Sequence, residues 1–155
     1  MSISDLIVVM KDGVIQQIGK PQEVYDNPGN LFVATFLGTP PINVFRAAVK
    51  GGKLFVGGAA VLDAPGIPDG EVKAAVRPEG FVPDPDGALC CDLTGVEVMG
   101  RDITVVCTHA DCENTAIRAV ISAENRVDAA APTVRFSLKP YKVFIFDAES
   151  GARLQ

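Results

Sequence analysis

The chain has 155 residues, 48% of them apolar, and a formal net charge of −5 at pH 7. This composition indicates a compact folded chain with room for one domain, or for one small domain and part of another. The acidic balance argues against nucleic-acid binding, which requires a clustered basic face. No apolar run approaches the roughly 18 residues of a membrane span, and no basic region of a signal peptide begins the chain. We therefore expect a cytoplasmic protein.

Two short apolar runs near the start of the chain predict a β-hairpin. Residues 6–10 and 14–18 flank a turn that contains Asp12 and Gly13, and this pattern is typical of paired strands. Gly19 ends the second run. Apolar runs this short predict buried strands, so we expect further strands to cover them.

Two short helices are predicted after the hairpin. Pro21 suits the first turn of a helix over residues 22–26. Asn30 is a candidate N-cap for a second helix with the sequence LFVATFL, which Gly38 closes. The second helix is apolar on nearly all sides, so we expect it to be buried on several of them.

From about residue 40 the pattern changes to the period of two that is typical of β-strands. The clearest run is TVRFSLKP, in which Val134, Phe136 and Leu138 share one face. The runs EVKAAVRPE and DITVVCT alternate in the same way. Further strands are predicted at residues 53–56, 96–99, 116–121 and 143–146. Short strands separated by turn signals predict a mainly β fold, either a small barrel or a sandwich.

One cluster of residues has the chemistry of a metal site. Cys107, His109 and Cys112 lie close together in the sequence, and zinc uses these ligand types. Their spacing is not that of a CxxC zinc knuckle, and Cys107 ends an alternating strand. An ordinary structural role is therefore favoured, and a metal-dependent protein remains an alternative.

Catalytic motifs are absent from the sequence. It contains no GxxxxGK[ST] loop to bind phosphates, no GxGxxG after a strand and no GxSxG elbow. The carboxylates are scattered, and none lies in an apolar run that would raise its pKa. We therefore predict no catalytic residue and no cofactor in this chain.

Residues 4–45, SDLIVVMKDGVIQQIGKPQEVYDNPGNLFVATFLGTPPINVF, resemble the C-terminal edge of the nucleotide-binding domain of ABC importer ATPases. The match runs in register over about forty residues, as judged against the family pattern of short turn and helix signals. The positions that carry it are Asp12, Gly13, Gly19, Pro21, Gly38 and Asn43.

A second set of motifs resembles the accessory β-domain of the same ATPases, an oligonucleotide-binding-like barrel often called TOBE. The set comprises Arg77, Pro78 and Glu79, then VEVMG ending at Gly100, and FDAESGARL with Phe146, Asp147 and Gly151. Phe144 stands where the family usually carries a His, which puts any role of that His in doubt.

The resemblance implies a division of the chain at residue 40. Residues 1–40 would be a remnant of the nucleotide-binding domain, and residues 41–155 the TOBE regulatory domain. Walker A, Walker B, LSGGQ and the switch His would lie before residue 1, in a full-length parent that uses ATP and Mg. The chain itself would be a truncated, non-catalytic part of the subunit.

The same resemblance implies the partners. We expect a homodimer with a second copy, and membrane permease subunits bound through the missing ATPase part. A regulatory protein is a further expected partner. The assembled transporter would lie at the inner membrane and import sugars or polyols. A free-standing barrel that binds small oxyanions remains a second alternative.

Two expectations concern contacts. Arg77 and Glu79 are expected to organise a junction of barrel strands together with Asp147, and the alternative is that they are solvated charges that contribute little. The second helix is expected to expose an apolar patch, which would fold back on the barrel or pair with a second chain. That patch comprises Leu31, Phe32, Val33, Phe36 and Leu37.

Overall fold

The computed structural model describes residues 6–38, 40–124 and 127–155, and it is mainly β-structure with two short helices. The strands are β1 (Ile7–Lys11), β2 (Val14–Gly19), β3 (Asn43–Lys50), β4 (Lys53–Val56), β5 (Ala59–Asp63), β6 (Gly70–Val76), β7 (Phe81–Pro83), β8 (Leu89–Met99), β9 (Asp102–Thr108), β10 (Ile117–Ser122), β11 (Thr133–Leu138) and β12 (Val143–Asp147). The helices are α1 (Pro21–Asp26) and α2 (Leu31–Phe36). The prediction of a mainly β fold is confirmed.

Ten of the strands form two five-stranded antiparallel sheets. The first has the order β10-β9-β8-β11-β7, and the second has the order β12-β6-β3-β4-β5. The end strands β10 and β7 of the first sheet lie next to each other, so this sheet nearly closes on itself as a barrel does. In the second sheet β3 pairs with β4, and β4 pairs with β5, which forms one edge of the sheet.

One continuous apolar core lies between the two sheets. It takes side chains at alternate positions of the strands, as the period of two predicts, with Val105 and Cys107 on β9 and Val134 and Phe136 on β11. The rings of Phe81 and Phe136 meet edge to face, with centroids 5.2 Å apart. The alternating apolar residues that predicted these strands are therefore the residues on the strand face that packs in this core.

Three strands were not predicted from the sequence: β3, β5 and β7. The start of β3 lacks alternation because both faces are covered, with Phe45 in the core between the sheets and Val44 in a second apolar cluster under α2. A strand covered on both faces loses the polar positions that mark it. β7 is three residues long and ends in proline, so it carries no periodic signal.

The hairpin and the helices lie where the sequence predicted them. Asp12 (φ 53°) and Gly13 (φ 79°) both adopt left-handed backbone, the combination that a tight hairpin turn of the I′ type requires. Pro21 occupies the first turn of α1. The Asn30 side chain accepts a hydrogen bond from the Val33 amide at 2.9 Å and so caps α2.

The burial expected of these elements is partly wrong. In β1 only Val9 is buried, whereas Val8 (48% exposed) and Met10 (50% exposed) face outward. In α2 the expected apolar patch is partly covered: Leu31 packs on the second sheet and Val33 is buried against the hairpin, whereas Phe36 is 56% exposed. Part of α2 therefore folds back on the barrel, and pairing of the patch with a second chain stays a prediction.

The outward face of the hairpin is apolar. Val8 and Ile18 are cross-strand neighbours, and Met10 lies opposite Ile15, so their side chains form one patch with Leu6. We refer to Leu6, Val8, Met10, Ile15 and Ile18 as the hairpin face. None of the helices in the described ranges has the length and apolar character needed to cross a bilayer.

The hairpin face should cause weak self-association, because exposed apolar patches and open strand edges favour contact between copies. Replacing Val8 and Ile18 together by lysine should lower the association constant about tenfold or more, as each apolar side chain contributes roughly 1.5 kcal/mol when fully buried. Light scattering at high micromolar concentration measures this. Val98→Lys is the matched control, because Val98 is also exposed (77%) on a strand but lies in the barrel. Equal association of both variants would contradict the prediction.

Candidate functional site at the Arg77 junction

The N-terminal segment docks on the outer face of the second sheet, around Arg77. Arg77 follows the last residue of β6 directly, and Pro78 then begins a 3-10 turn, Pro78–Gly80. Proline has no amide hydrogen, so it ends the ladder here and the chain leaves the sheet. The Arg77 side chain consequently points to α1 and α2 and is almost completely buried, with 1% of its surface exposed.

The guanidinium of Arg77 binds the C-terminal ends of both helices. Nη2 donates a hydrogen bond to Tyr25 O at 2.7 Å, and Nη1 donates to Ala34 O at 3.1 Å and to Leu37 O at 3.0 Å. The last carbonyls of a helix have no partner within the helix and carry partial negative charge. Neither helix has a basic residue in its own last turn, so Arg77 provides the cation that both lack.

Aromatic rings enclose the same guanidinium. Its central carbon lies 3.9 Å from the centroid of the Tyr25 ring and 5.7 Å from that of Phe144. Arg153 lies 5.1 Å from the centroid of Phe144 as well. Contacts with ring faces favour a desolvated cation. Burial nevertheless lowers the pKa of Arg77 and that of Arg153.

Glu79 completes the junction through Tyr25. The Tyr25 hydroxyl lies 2.7 Å and 3.0 Å from the two carboxylate oxygens of Glu79 and donates its hydrogen to that group. Burial raises the pKa of Tyr25, and the hydrogen bond to Glu79 raises it further. Tyr25 therefore stays protonated and connects α1 to the turn after β6.

Gly38 is required by this packing. Its φ of 114° lies in the left-handed region, and a Cβ at this position would stand 3.2 Å from Tyr25 Cε2 and 3.6 Å from Arg77 Nη1. Any other residue would be strained in its backbone and would crowd the ring. The glycine that ends α2 is therefore also part of the Arg77 junction.

A second set of contacts joins α2 to the end of the chain. The Leu31 amide donates to Gly151 O at 2.9 Å, and Asn30 forms a bridge with Ala152. Arg153 Nη1 donates to Pro28 O at 3.1 Å. These contacts hold the N-terminus of α2, while Arg77 holds its C-terminus.

The structure corrects the role expected of Arg77, Glu79 and Asp147. The side chains of Arg77 and Glu79 connect the helices to the barrel, while the Arg77 amide donates to Lys142 O, just before β12, at 3.0 Å. The burial of Arg77 makes a solvated role wrong. Asp147 instead accepts hydrogen bonds from the Ser150 and Glu149 amides at 2.7 Å and 3.2 Å. The bonds from Ser150 hold the pKa of Asp147 below its usual range.

The other motif residues have local roles. Asn43 is buried at the start of β3 and donates to Val76 O at 3.4 Å. Phe146 is buried under α2. Gly19 ends β2, and Gly100 adopts φ 69° in the turn between β8 and β9.

The three metal-ligand candidates each make other contacts, although Cys107 and Cys112 share one core cluster. Cys107 is buried in the core, where its thiol pairs with that of Cys91 and raises the pKa of Cys91. Burial raises the pKa of Cys112 to about 11. His109 Nδ1 accepts a hydrogen bond from the Asp111 amide at 3.0 Å. Within the described part of the chain, no group of three or more His, Cys, Asp or Glu residues is placed to bind a metal ion.

A groove of about 870 Å³ lies on the part of the outer sheet face that α2 leaves uncovered. Its charged lining side chains are Arg46, Lys50, Lys73, Glu71 and Asp111. Lys73 is already paired with Glu113 at 3.0 Å, and Arg46 donates to Ala110 O at 2.7 Å. This mixture of charges does not favour an anionic ligand over a cationic one.

Sequence reasoning missed Tyr25 and Arg153. Both lie in segments with weak periodicity, and their partners are 52 and 125 positions away. Tyr25 lies in a predicted helix within residues 4–45, the stretch that resembles the family, but nothing in the sequence pairs it with Arg77. Such distant pairs become visible only when the fold brings them together.

Arg77→Ala should lower the free energy of unfolding by about 2–4 kcal/mol, because several hydrogen bonds between a charged group and the helix carbonyls are lost. For a chain of this size, that corresponds to a melting temperature lower by about 5–15 °C. Arg118→Ala, which removes an exposed partner of Glu97 at 3.8 Å, should change stability by less than about 0.5 kcal/mol. Calorimetry of both variants measures the difference, and an unchanged melting temperature for Arg77→Ala would contradict the role of the Arg77 junction.

Stability should fall above pH 10 because of Tyr25. The unfolded state loses the hydroxyl proton near pH 10, whereas the folded state retains it at higher pH, so the stabilisation is complete below pH 10 and declines as the pH rises. Urea unfolding between pH 9 and pH 11 should show a smaller loss in Tyr25→Phe than in the wild type. Tyr141→Phe is the control, because Tyr141 is exposed. A loss of the same size in Tyr25→Phe and the wild type would show that Tyr25 does not cause it.

Comparison with known proteins gives relatives over almost the whole chain. No family model matches it. The chain is 34% identical to the sn-glycerol-3-phosphate import ATP-binding protein of Jannaschia sp. (strain CCS1), over 99% of this chain and 43% of that protein. It is 35% identical to a putative ABC transporter ATP-binding protein of Mycoplasma pneumoniae, over 100% of this chain and 26% of that protein.

A third relative is the sulfoquinovosyl glycerol transport ATP-binding protein of Agrobacterium fabrum, which is 33% identical over 96% of this chain and 43% of that protein. The chain thus spans less than half the length of these relatives. The resemblance stated from the sequence is confirmed. Over nearly all of its length, this chain is a homologue of part of the ATP-binding subunits of ABC importers, consistent with the C-terminal part of such a subunit.

Proposed function

We propose that this chain is the non-catalytic regulatory and dimer-supporting region of an ATP-binding subunit of an ABC importer. The observation that carries the proposal is homology, over 99% of the chain, to a protein named as an sn-glycerol-3-phosphate import ATP-binding protein. The fold of the chain is a small barrel with a docked helical segment. A barrel of this kind offers a rigid surface for contact with a second copy.

The division at residue 40 follows the Arg77 junction. Residues 1–40 belong to the nucleotide-binding part of the subunit, and residues 41–155 form the regulatory barrel. Arg77, Tyr25 and Glu79 connect the two through buried hydrogen bonds. A movement of the nucleotide-binding part is thereby transmitted to the barrel, and a contact at the barrel constrains that part in turn.

Nucleotide chemistry lies outside this chain in the proposal. The sequence contains no loop that binds phosphates, so the chain alone neither binds nor hydrolyses ATP. ATP and Mg are used by the parent subunit. The hairpin face is the proposed contact with the nucleotide-binding part, because packing there would cover apolar side chains that are exposed in this chain.

The transported substrate and the further partners are part of the same proposal. Two of them are named for the import of sn-glycerol-3-phosphate and the transport of sulfoquinovosyl glycerol, which supports a sugar or polyol as the transported substrate. The subunit would act on the cytoplasmic side of the inner membrane with permease subunits. A second copy contacts the barrel, and a regulatory protein is a further proposed partner.

Sedimentation equilibrium tests the proposal with the Val8→Lys, Ile18→Lys variant, in which association through the hairpin face is suppressed. The barrel contact should still give a dimer at micromolar concentration, and saturating Mg-ATP should leave the dissociation constant unchanged within about twofold. Calorimetric titration with Mg-ATP on the same sample should show no saturable binding. A monomer at high micromolar concentration would contradict the dimer-supporting role, and micromolar nucleotide binding would contradict the non-catalytic one.

A further inference from the structure

The two helices depend on the barrel for their order. Each has six residues, and isolated helices shorter than about 12–15 residues are marginal in water. We name residues 20–38, which contain both helices, the docking strap. The capping residue of α1, Lys20, makes no side-chain hydrogen bond to the helix. Local sequence therefore gives the docking strap little stability of its own.

The apolar contacts of the docking strap are divided between two surfaces. Ala34 and Leu31 pack on Val44, Ala75 and Phe144 of the second sheet. Val24 and Val33 pack with Val9 of the hairpin, away from the barrel. The strap therefore lies between the hairpin and the barrel, and each of them covers one of its faces.

Polar contacts between the strap and the barrel converge on few residues. Arg77 alone holds three carbonyls near the ends of both helices. Tyr25 reaches Glu79, and Asp26 lies 4.0 Å from Lys142 at the exposed rim. An exposed ion pair of this length contributes little. Gly151 and Arg153 also bind the strap near the start of α2, but of these barrel residues Arg77 alone contacts both helices.

The hairpin is ordered through the strap. Gln17 Oε1 accepts a hydrogen bond from the Gly29 amide at 2.7 Å, and Gln17 Nε2 donates to Asn27 O at 3.0 Å. A two-stranded hairpin by itself is marginally stable at best in water. Its order in this chain therefore follows from that of the strap, and the order of the strap follows from Arg77.

We infer that the docking strap is a two-state element that folds only when it is docked, and that Arg77 is the residue that controls it. When the Arg77 contacts are lost, both helices unfold while the two sheets of the barrel remain folded. The undocked state exposes Val44, Ala75, Phe144 and Phe146, an apolar surface that the docked state covers. This inference does not depend on the proposed function, because it concerns only the folding of the chain.

Hydrogen exchange followed by mass spectrometry tests the inference on the full chain. Arg77→Met removes the donors and keeps much of the side-chain volume, and Arg118→Met is the matched control on the barrel surface. We expect the amides of α1 and α2 to exchange at least tenfold faster in Arg77→Met than in the wild type. In Arg77→Met the amides of β9 and β11 should stay at least a hundredfold more protected than those of α1 and α2, and Arg118→Met should match the wild type throughout.

Two results would overturn the inference. Unchanged exchange in α1 and α2 of Arg77→Met would show that docking does not depend on Arg77. Equal remaining protection of β9, β11 and the two helices in Arg77→Met would show that strap and barrel unfold as one unit.

A measurement on the wild type keeps the inference testable if Arg77→Met does not fold. In urea concentrations below the unfolding transition, the amides of α1 and α2 should share one opening reaction that occurs well before the barrel opens. Exchange of these amides only through global unfolding would overturn the inference.

Discussion

A single buried arginine connects the parts of this structure. The Arg77 guanidinium has 1% of its surface exposed, and no carboxylate of the described residues forms an ion pair with it. Transfer of a charge from water costs several kcal/mol, and here that cost is offset by carbonyl acceptors and aromatic rings, with hydrogen bonds to a charged group contributing about 1.5–3 kcal/mol each. These acceptors exist only while α1 and α2 are formed and docked. The position of Arg77 and the order of the helices therefore depend on each other.

The second sheet makes this arrangement possible because the part of it under α2 is covered on both faces. One face of β6 sends Val72, Ala74 and Val76 into the core between the sheets, while Ala75 on the opposite face lies under α2. The small Ala75 side chain leaves space for the helix, and Phe144 on β12 packs beside it. The docking site for α2 is thus the outer face of a strand whose inner face is already held in the core.

The order of dependence, from barrel to docking strap to hairpin, bears on the proposed function. The hairpin presents an apolar face, and it is connected to the barrel chiefly through two short helices. A contact at the hairpin face and a contact at the barrel can therefore affect each other through Arg77. Packed interfaces change between distinct arrangements and do not deform continuously. An element held by a small number of contacts can therefore switch between a docked and an undocked arrangement.

The sequence by itself determined the local elements. The alternation in β6, β9 and β11, the left-handed turn at Asp12 and Gly13, the Asn30 cap and the proline at the start of α1 all follow from backbone geometry and short-range hydrogen bonds. The sequence motifs also indicated the family. These features were predictable because their causes lie within a few residues of each other.

Only the tertiary structure decided what Arg77 does. Its partners Tyr25, Ala34 and Leu37 lie 40 to 52 positions away in the chain, and the residues near it in sequence suggested a role among barrel strands. The tertiary structure also decided that the start of β3 is covered on both faces, and that Val8 and Met10 face outward although an apolar run predicts burial. Burial and long-range hydrogen bonding depend on which surfaces the fold brings together. The spacing of apolar residues along the sequence shows only which residues share a face of a strand or helix.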